Sequence, residues 1–254
     1  LAGRDLGLLP RLDKKDMLFL LLSGVALAAH FFTWISAVQL TTVANAAVFF
    51  SINPVITATA GLVFFGERIR PRLLVSILTG VTGIAVMGGA DLSFNSEHLA
   101  GDGMAVLCSL LFTAYFLIGK RLRKKLPTTT YVTAVYGIAA CVAFLCLAGF
   151  QLPLFDYSGR TWLCMVLLAL VPTMIGHTAL NNSLQYIPAG VISTATLTEP
   201  LLAGWVAYFA WNETVSVQTG VGYVLISLSV IILVSGEIKV RRSKNRENKE
   251  SLRI

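Results

Sequence analysis

Eight runs of about twenty residues, nearly free of charge, set what this chain can become: 17–37, 43–65, 73–90, 102–119, 130–150, 161–182, 187–211 and 217–236. A helix of that length matches the hydrocarbon thickness of a bilayer, and a helix apolar on every side has no solvated face to offer water. Composition agrees, with 56% hydrophobic and 13% charged residues, against about 25% charged in a soluble domain. The expected fold is an all-α polytopic membrane protein of eight transmembrane helices, with the lipid bilayer as its surroundings. Residues 1–16 are mixed and charged and lack the apolar core of a cleaved signal peptide.

The basic residues orient these spans. With the N-terminal segment placed inside, Lys14 and Lys15, Arg68 to Arg72, the run Lys120 to Lys125 and the tail from Lys239 all fall inside. Only Arg160 falls outside. The expectation is a multi-pass protein of the cell membrane with both termini cytoplasmic. The net charge of +7 is then loop and tail charge that fixes topology, and no nucleic-acid partner is expected. The tail 239–254 reads as a basic cytoplasmic extension in water or against lipid headgroups. Cys108, Cys141, Cys146 and Cys164 lie inside apolar runs without a C-x-x-C spacing, so they read as small apolar helix residues rather than a metal or disulfide set.

An internal repeat shows when residues 30–67 are laid on 176–213, an offset of 146. Gln39 falls on Gln185, Pro54 on Pro200 and Glu67 on Glu213. Three identities mean little in so apolar a chain, but each pair occupies the same place: a turn, a mid-helix break and a helix end. The second unit counts five helices. The first, by the same offset, lacks two, so the chain reads as the remainder of a 5+5 inverted-repeat ten-helix protein. The units are 1–99, with three helices, and 100–238, with five. Five being odd, the two units enter the membrane oppositely.

Within 187–211 the single charge is Glu199, followed directly by Pro200. The overlay puts Asn53-Pro54 on Glu199-Pro200. A proline inside a helix frees the carbonyl four residues back, here Phe50 and Thr196. In lipid those carbonyls need protein or cavity water. One break per repeat near the midplane points to a central cavity, the alternative being a kink with no ligand role. A charge at the bilayer centre costs roughly 3 kcal/mol, so Glu199 either faces a wet cavity or carries a proton between packed helices. Ser193, Thr196 and Glu199 repeat at three-residue steps, His177 and Asn181 at four, and His30 and Trp34 at four. Asn182 points away from Asn181; Tyr115 and Asn45 are weaker candidates. Gly80, Gly83, Gly88 and Gly89, with Gly220 and Gly222, are expected to let two helices approach closely.

The stretches "AVQLTTVANAAVFFSINPVITATAGLVFFGE", "GDGMAVLCSLLFTAYFLIGKRL" and "GHTALNNSLQYIPAGVISTATLTEPLLAGWVAYFAWNE" together resemble the EamA-type transporters of the drug/metabolite transporter superfamily. The last is the most specific, through Gly176, His177, Asn181, Glu199, Pro200 and Glu213. The resemblance covers nearly the whole chain. It implies ten helices in two inverted repeats and movement of small metabolites across the cytoplasmic membrane, often as export, with amino acids or related compounds as candidates.

The expected function is therefore secondary active transport of a small-molecule substrate by alternating access, coupled to protons or another gradient. The expected substrate-binding residues are Glu199, His177, Asn181, Asn53, Thr196, Ser193, His30 and Trp34, with Pro54 and Pro200 as hinges. A channel, or a ligand-binding membrane protein without coupled transport, is the alternative. One carboxyl makes no charged selectivity ring. No enzyme is expected: there is no H-E-x-x-H, no paired membrane aspartates and no metal set among His30, His98 and His177. No phosphate loop and no cofactor are expected either. A homodimer stays open.

Overall fold

The computed structural model describes residues 12–88, 98–151, 153, 155–211 and 215–251. Every regular element among them is helical: α1 Lys14–Leu40, α2 Val43–Phe50, α3 Asn53–Phe65, α4 Pro71–Gly88, α5 Leu99–Leu122, α6 Thr128–Gly149 and α7 Gly159–Leu168. The chain continues as a π-helical stretch Ala169–His177, α8 Thr178–Ser183, α9 Ala189–Ala195, a 3₁₀ turn Thr196–Thr198, α10 Glu199–Trp211 and α11 Val217–Ser251. Among the described residues six spans are long and apolar enough to cross a membrane, with Pro71–Met87 a shorter seventh. The eighth expected span, 187–211, is present but interrupted. α11 runs on to Ser251, so the helix continues through the segment read as a tail.

Local signals explain the helix ends. The Asp13 carboxylate accepts the Asp16 N–H at 2.7 Å, and the Thr42 hydroxyl that of Asn45 at 3.1 Å. That N-terminal hydrogen bond holds the Asp13 carboxyl below its usual range. α1 reaches Leu40, so the polar turn after it narrows to Thr41-Thr42. Gly66 ends α3 in the left-handed region at φ 65°, and its amide returns to the carbonyls of Gly61 and Leu62.

α1 packs against α5 and α6. Leu27, Tyr115, Phe116, Tyr131 and Val135 are fully buried between them, and the Ser23 hydroxyl lies 2.6 Å from that of Tyr131. Association in lipid rests on close packing and interhelical hydrogen bonds, each of the latter worth about 0.6 kcal/mol on average. α4 and α11 show both. Ser76 donates to the Ser229 carbonyl at 2.8 Å, and Ser229 to that of Ser76 at 2.7 Å. A Cβ on Gly83 would lie 3.0 Å from the Gly222 carbonyl oxygen. This bears out close approach for Gly83 and Gly222 and for Gly80, where a Cβ would lie 2.8 Å from the Ser229 hydroxyl of α11 and also meet Leu197; Gly220 faces open space. Gly88 and Gly89 lie outside the described packing.

Side-chain contacts sort the helix ends into two groups. At one end Asp16 pairs with Lys125 and with Arg121, Glu67 pairs with Lys120, and Gln185 donates to the Arg123 carbonyl at 2.7 Å. Asn182 accepts from Thr128 there at 2.8 Å. At the other end Gln218 donates to the Val86 carbonyl at 2.8 Å, and the His98 ring lies 3.4 Å from that of Leu40. The start of α1 and the end of α8 share one end, so α1 and its repeat counterpart run oppositely.

Candidate functional site

Two helices break at matching places. In the first, α2 stops at Phe50, Ser51 and Ile52 turn, and α3 begins at Asn53-Pro54. In the second, α9 stops at Ala195, three residues tighten into a 3₁₀ turn, and α10 begins at Glu199-Pro200. Each proline thus opens a new helix, a position where its missing N–H costs least. The carbonyls expected to be freed both find donors. That of Phe50 receives the Ser109 hydroxyl at 3.4 Å, and that of Thr196 the N–H of Glu199.

The two breaks enclose a cavity of about 240 Å³. Trp34, Val43, Ala47, Phe50, Ser51, Asn53, Pro54, Ile84, Thr196, Leu197, Glu199 and Pro200 line it. Glu199 is the one charged side chain in that lining. Protein atoms crowd around it, yet its surface stays open, as befits a group on a cavity wall rather than in packed core. Among the described residues no hydrogen bond or ion pair reaches its carboxylate. The Trp34 and Phe50 rings meet edge to face at 5.6 Å on the wall.

Asn53 is buried and fully engaged. Its amide donates to the Ser109 carbonyl at 3.0 Å and to the Thr113 hydroxyl at 3.1 Å. Its carbonyl accepts the Ser193 hydroxyl and, at 3.4 Å, that of Thr57. The first break is thereby tied to α5 and to α9. Toward the basic end α3 and α9 stay in contact: a Cβ on Gly190 would lie 2.8 Å from that of Ala58. Below them Glu67 takes the Lys120 ammonium and the N–H of Ala189 at 3.2 Å. Gly66 thus turns Glu67, at the end of α3, across to two other helices. Its counterpart Glu213 lies outside the described residues.

Of the expected site residues, Trp34, Asn53, Pro54, Thr196, Glu199 and Pro200 share the cavity wall. Ser193 sits one layer behind, on Asn53. His30, His177 and Asn181 form a neighbouring cluster. The His30 and His177 rings are 6.1 Å apart, among Phe31, Phe112 and Tyr115. His30 Nδ1 lies 3.1 Å from the Cys108 carbonyl, and Asn181 donates to the Tyr115 hydroxyl and, at 2.7 Å, to the His177 carbonyl. Phe50 joins the two sites, its ring 5.9 Å from His30. Asn45 and Tyr115 are buried outside the lining.

Sequence reasoning named Phe50 for its carbonyl but missed its ring on the wall, and missed Ser51; the signal for both is their place beside the break. It also missed Pro172, which lies inside the π-helical stretch. The carbonyl that Pro172 frees, Leu168, receives the Thr173 hydroxyl at 3.1 Å. A proline in an apolar run was the signal.

A bundle of apolar helices with paired breaks beside a cavity-wall carboxylate is the architecture of a polytopic membrane protein of the transporter type. The EamA-like transporter family model matches residues 5–89 and 99–235, and the chain belongs to that family, one of transporters and not of enzymes. An uncharacterized transporter of Archaeoglobus fulgidus is 28% identical over 202 residues, 79% of this chain and 70% of that protein. The uncharacterized transporter YxxF of Bacillus subtilis is 25% identical over 75% of this chain and 61% of its own length. The aromatic amino acid exporter YddG of Ancylobacter novellus is 25% identical over 68% of this chain and 60% of its own. A solved crystal structure superposes with a TM-score of 0.73 at 22% identity, over 87% of this chain and 77% of that one, which shows the fold.

Proposed function

We propose that this chain is a secondary transporter of a small metabolite, working by alternating access around the cavity between the two broken helices. Glu199 is the group that exchanges a proton for substrate. Trp34, Asn53 and Thr196 shape the pocket, Ser193 steadies Asn53, and His30, His177 and Asn181 support the wall behind Phe50. Pro54 and Pro200 are the hinges. The two halves, 1–99 and 100–238, rock as inverted units in a cell membrane, with both termini and the basic end cytoplasmic.

The observation that carries this reading is the unpartnered Glu199 carboxylate on the wall of a cavity built by two matching breaks. A buried structural acid would be packed and bonded. Amino acids are one candidate class, given the exporter among the relatives.

The test is proton flux in proteoliposomes with an entrapped pH dye and an imposed pH gradient. A panel of amino acids, amines, sugars and nucleosides is added from outside. At least one compound is expected to dissipate the gradient ten-fold or more faster with the wild type than with Glu199→Gln at equal reconstitution. Equal rates remove Glu199 from coupling. Conductance that needs no substrate identifies a channel and overturns the transporter reading.

A further inference from the structure

We infer that the cavity selects an organic monoamine, a protonated amine on an aromatic or apolar body, over the carboxylate-bearing form of the same compound. The inference rests on the transport reading, since it names the substrate class of that site.

Charge gives the first half of the argument. Among the described residues Glu199 is the only ionisable side chain on the wall, and it meets no cation there. Lys120 and Arg123, the basic residues nearest the bundle interior, engage partners at a helix end instead. An ammonium ion would supply the missing countercharge on a wall that is otherwise apolar, where such a pair is stronger than in open water. The Trp34 and Phe50 faces beside it suit both a cation and a ring. About 240 Å³ is room for a small aromatic body, some eight times the ~30 Å³ share of one water.

The second half concerns what the wall denies. A zwitterion also needs donors for its carboxylate. Helix N-termini ordinarily serve anions through exposed N–H groups. Here both helices that start at the cavity carry proline in the first turn, and the amide is missing at Pro54 and Pro200. The polar side chains are spent elsewhere. Ser51 donates to the Val48 carbonyl at 2.6 Å, Thr196 to that of Ser193 at 2.8 Å, and Asn53 to α5. Among the described lining residues no lysine or arginine compensates. A substrate carboxylate would lie near Glu199 with the Trp34 indole as the one uncommitted side-chain donor among the described lining residues. A carboxylate so short of partners against an apolar wall is disfavoured.

The test is binding to the purified full chain in nanodiscs, by calorimetry at pH 8, with three probes on one skeleton: 2-phenylethylamine, phenylalanine and 3-phenylpropionate. The amine is expected to bind at least ten-fold tighter than phenylalanine, and phenylpropionate not measurably. Glu199→Gln is expected to weaken the amine ten-fold or more with an unchanged melting temperature, and Glu199→Asp to keep part of the affinity. Phenylalanine binding as tightly as the amine overturns the inference on the wild type alone, whatever the variants do. Amine binding that survives Glu199→Gln overturns it as well. Glu199-dependent amine binding without flux would sink the transport reading and leave this one standing. Flux of another compound with no amine binding would do the reverse.

Discussion

At the scale of single residues the two break positions divide the labour unequally. Glu199 keeps its polar group unspent, while Asn53, its overlay partner, spends everything on Ser109, Thr113, Ser193 and Thr57. Replacing Asn53 strands buried hydroxyls, a cost of about 1–3 kcal/mol. Asn53→Leu is therefore predicted to lower the melting temperature of the purified protein by several degrees. An unchanged melting curve would show that the network adds nothing. The sequence made both positions visible, because a polar residue before proline in an apolar run is rare and costly. It did not reveal their different duties. Three of the four partners of Asn53, Ser109, Thr113 and Ser193, lie 56 to 140 residues away, and no local pattern reports contacts across that distance.

At the scale of elements, the prolines announced the breaks and the carbonyls they free. How those carbonyls are repaired was not legible: one takes a serine from another helix, the other a 3₁₀ turn of its own chain. The partnership of Glu67 was hidden for the same reason, since it joins the end of α3 to α5 and α9. Breaking this half-buried pair leaves Lys120 without its countercharge. Glu67→Gln is predicted to cost about 1.5–3 kcal/mol and to loosen the basic end. The readout is a cysteine at Thr57, a position fully buried in the native chain. Its labelling by a polar maleimide should speed up in the Glu67→Gln background. Unchanged labelling and melting would show that the Glu67–Lys120 pair does not hold the basic end together.

At the scale of the whole molecule, the charge pattern foretold which helix ends meet. Asp16, Glu67, Lys120, Arg123 and Gln185 do converge at one end. The prediction is that a single cysteine at Lys124, in a background without the four native cysteines, resists an impermeant thiol reagent added to intact cells and reacts after permeabilisation. Labelling in intact cells would invert the orientation. Charge counting could not foretell that the chain stays closed at its basic end, with Gly190 against Ala58, while the cavity lies between the breaks and the other end. That follows from side-chain shape. The solitary wall carboxylate has a further consequence for energetics. Trading one proton for one ammonium there moves no net charge across the bilayer. A 100 mV voltage, worth about 2.3 kcal/mol per elementary charge, then does no work on the swap, and the driving force is purely chemical, set by acidity and amine concentration on the two sides.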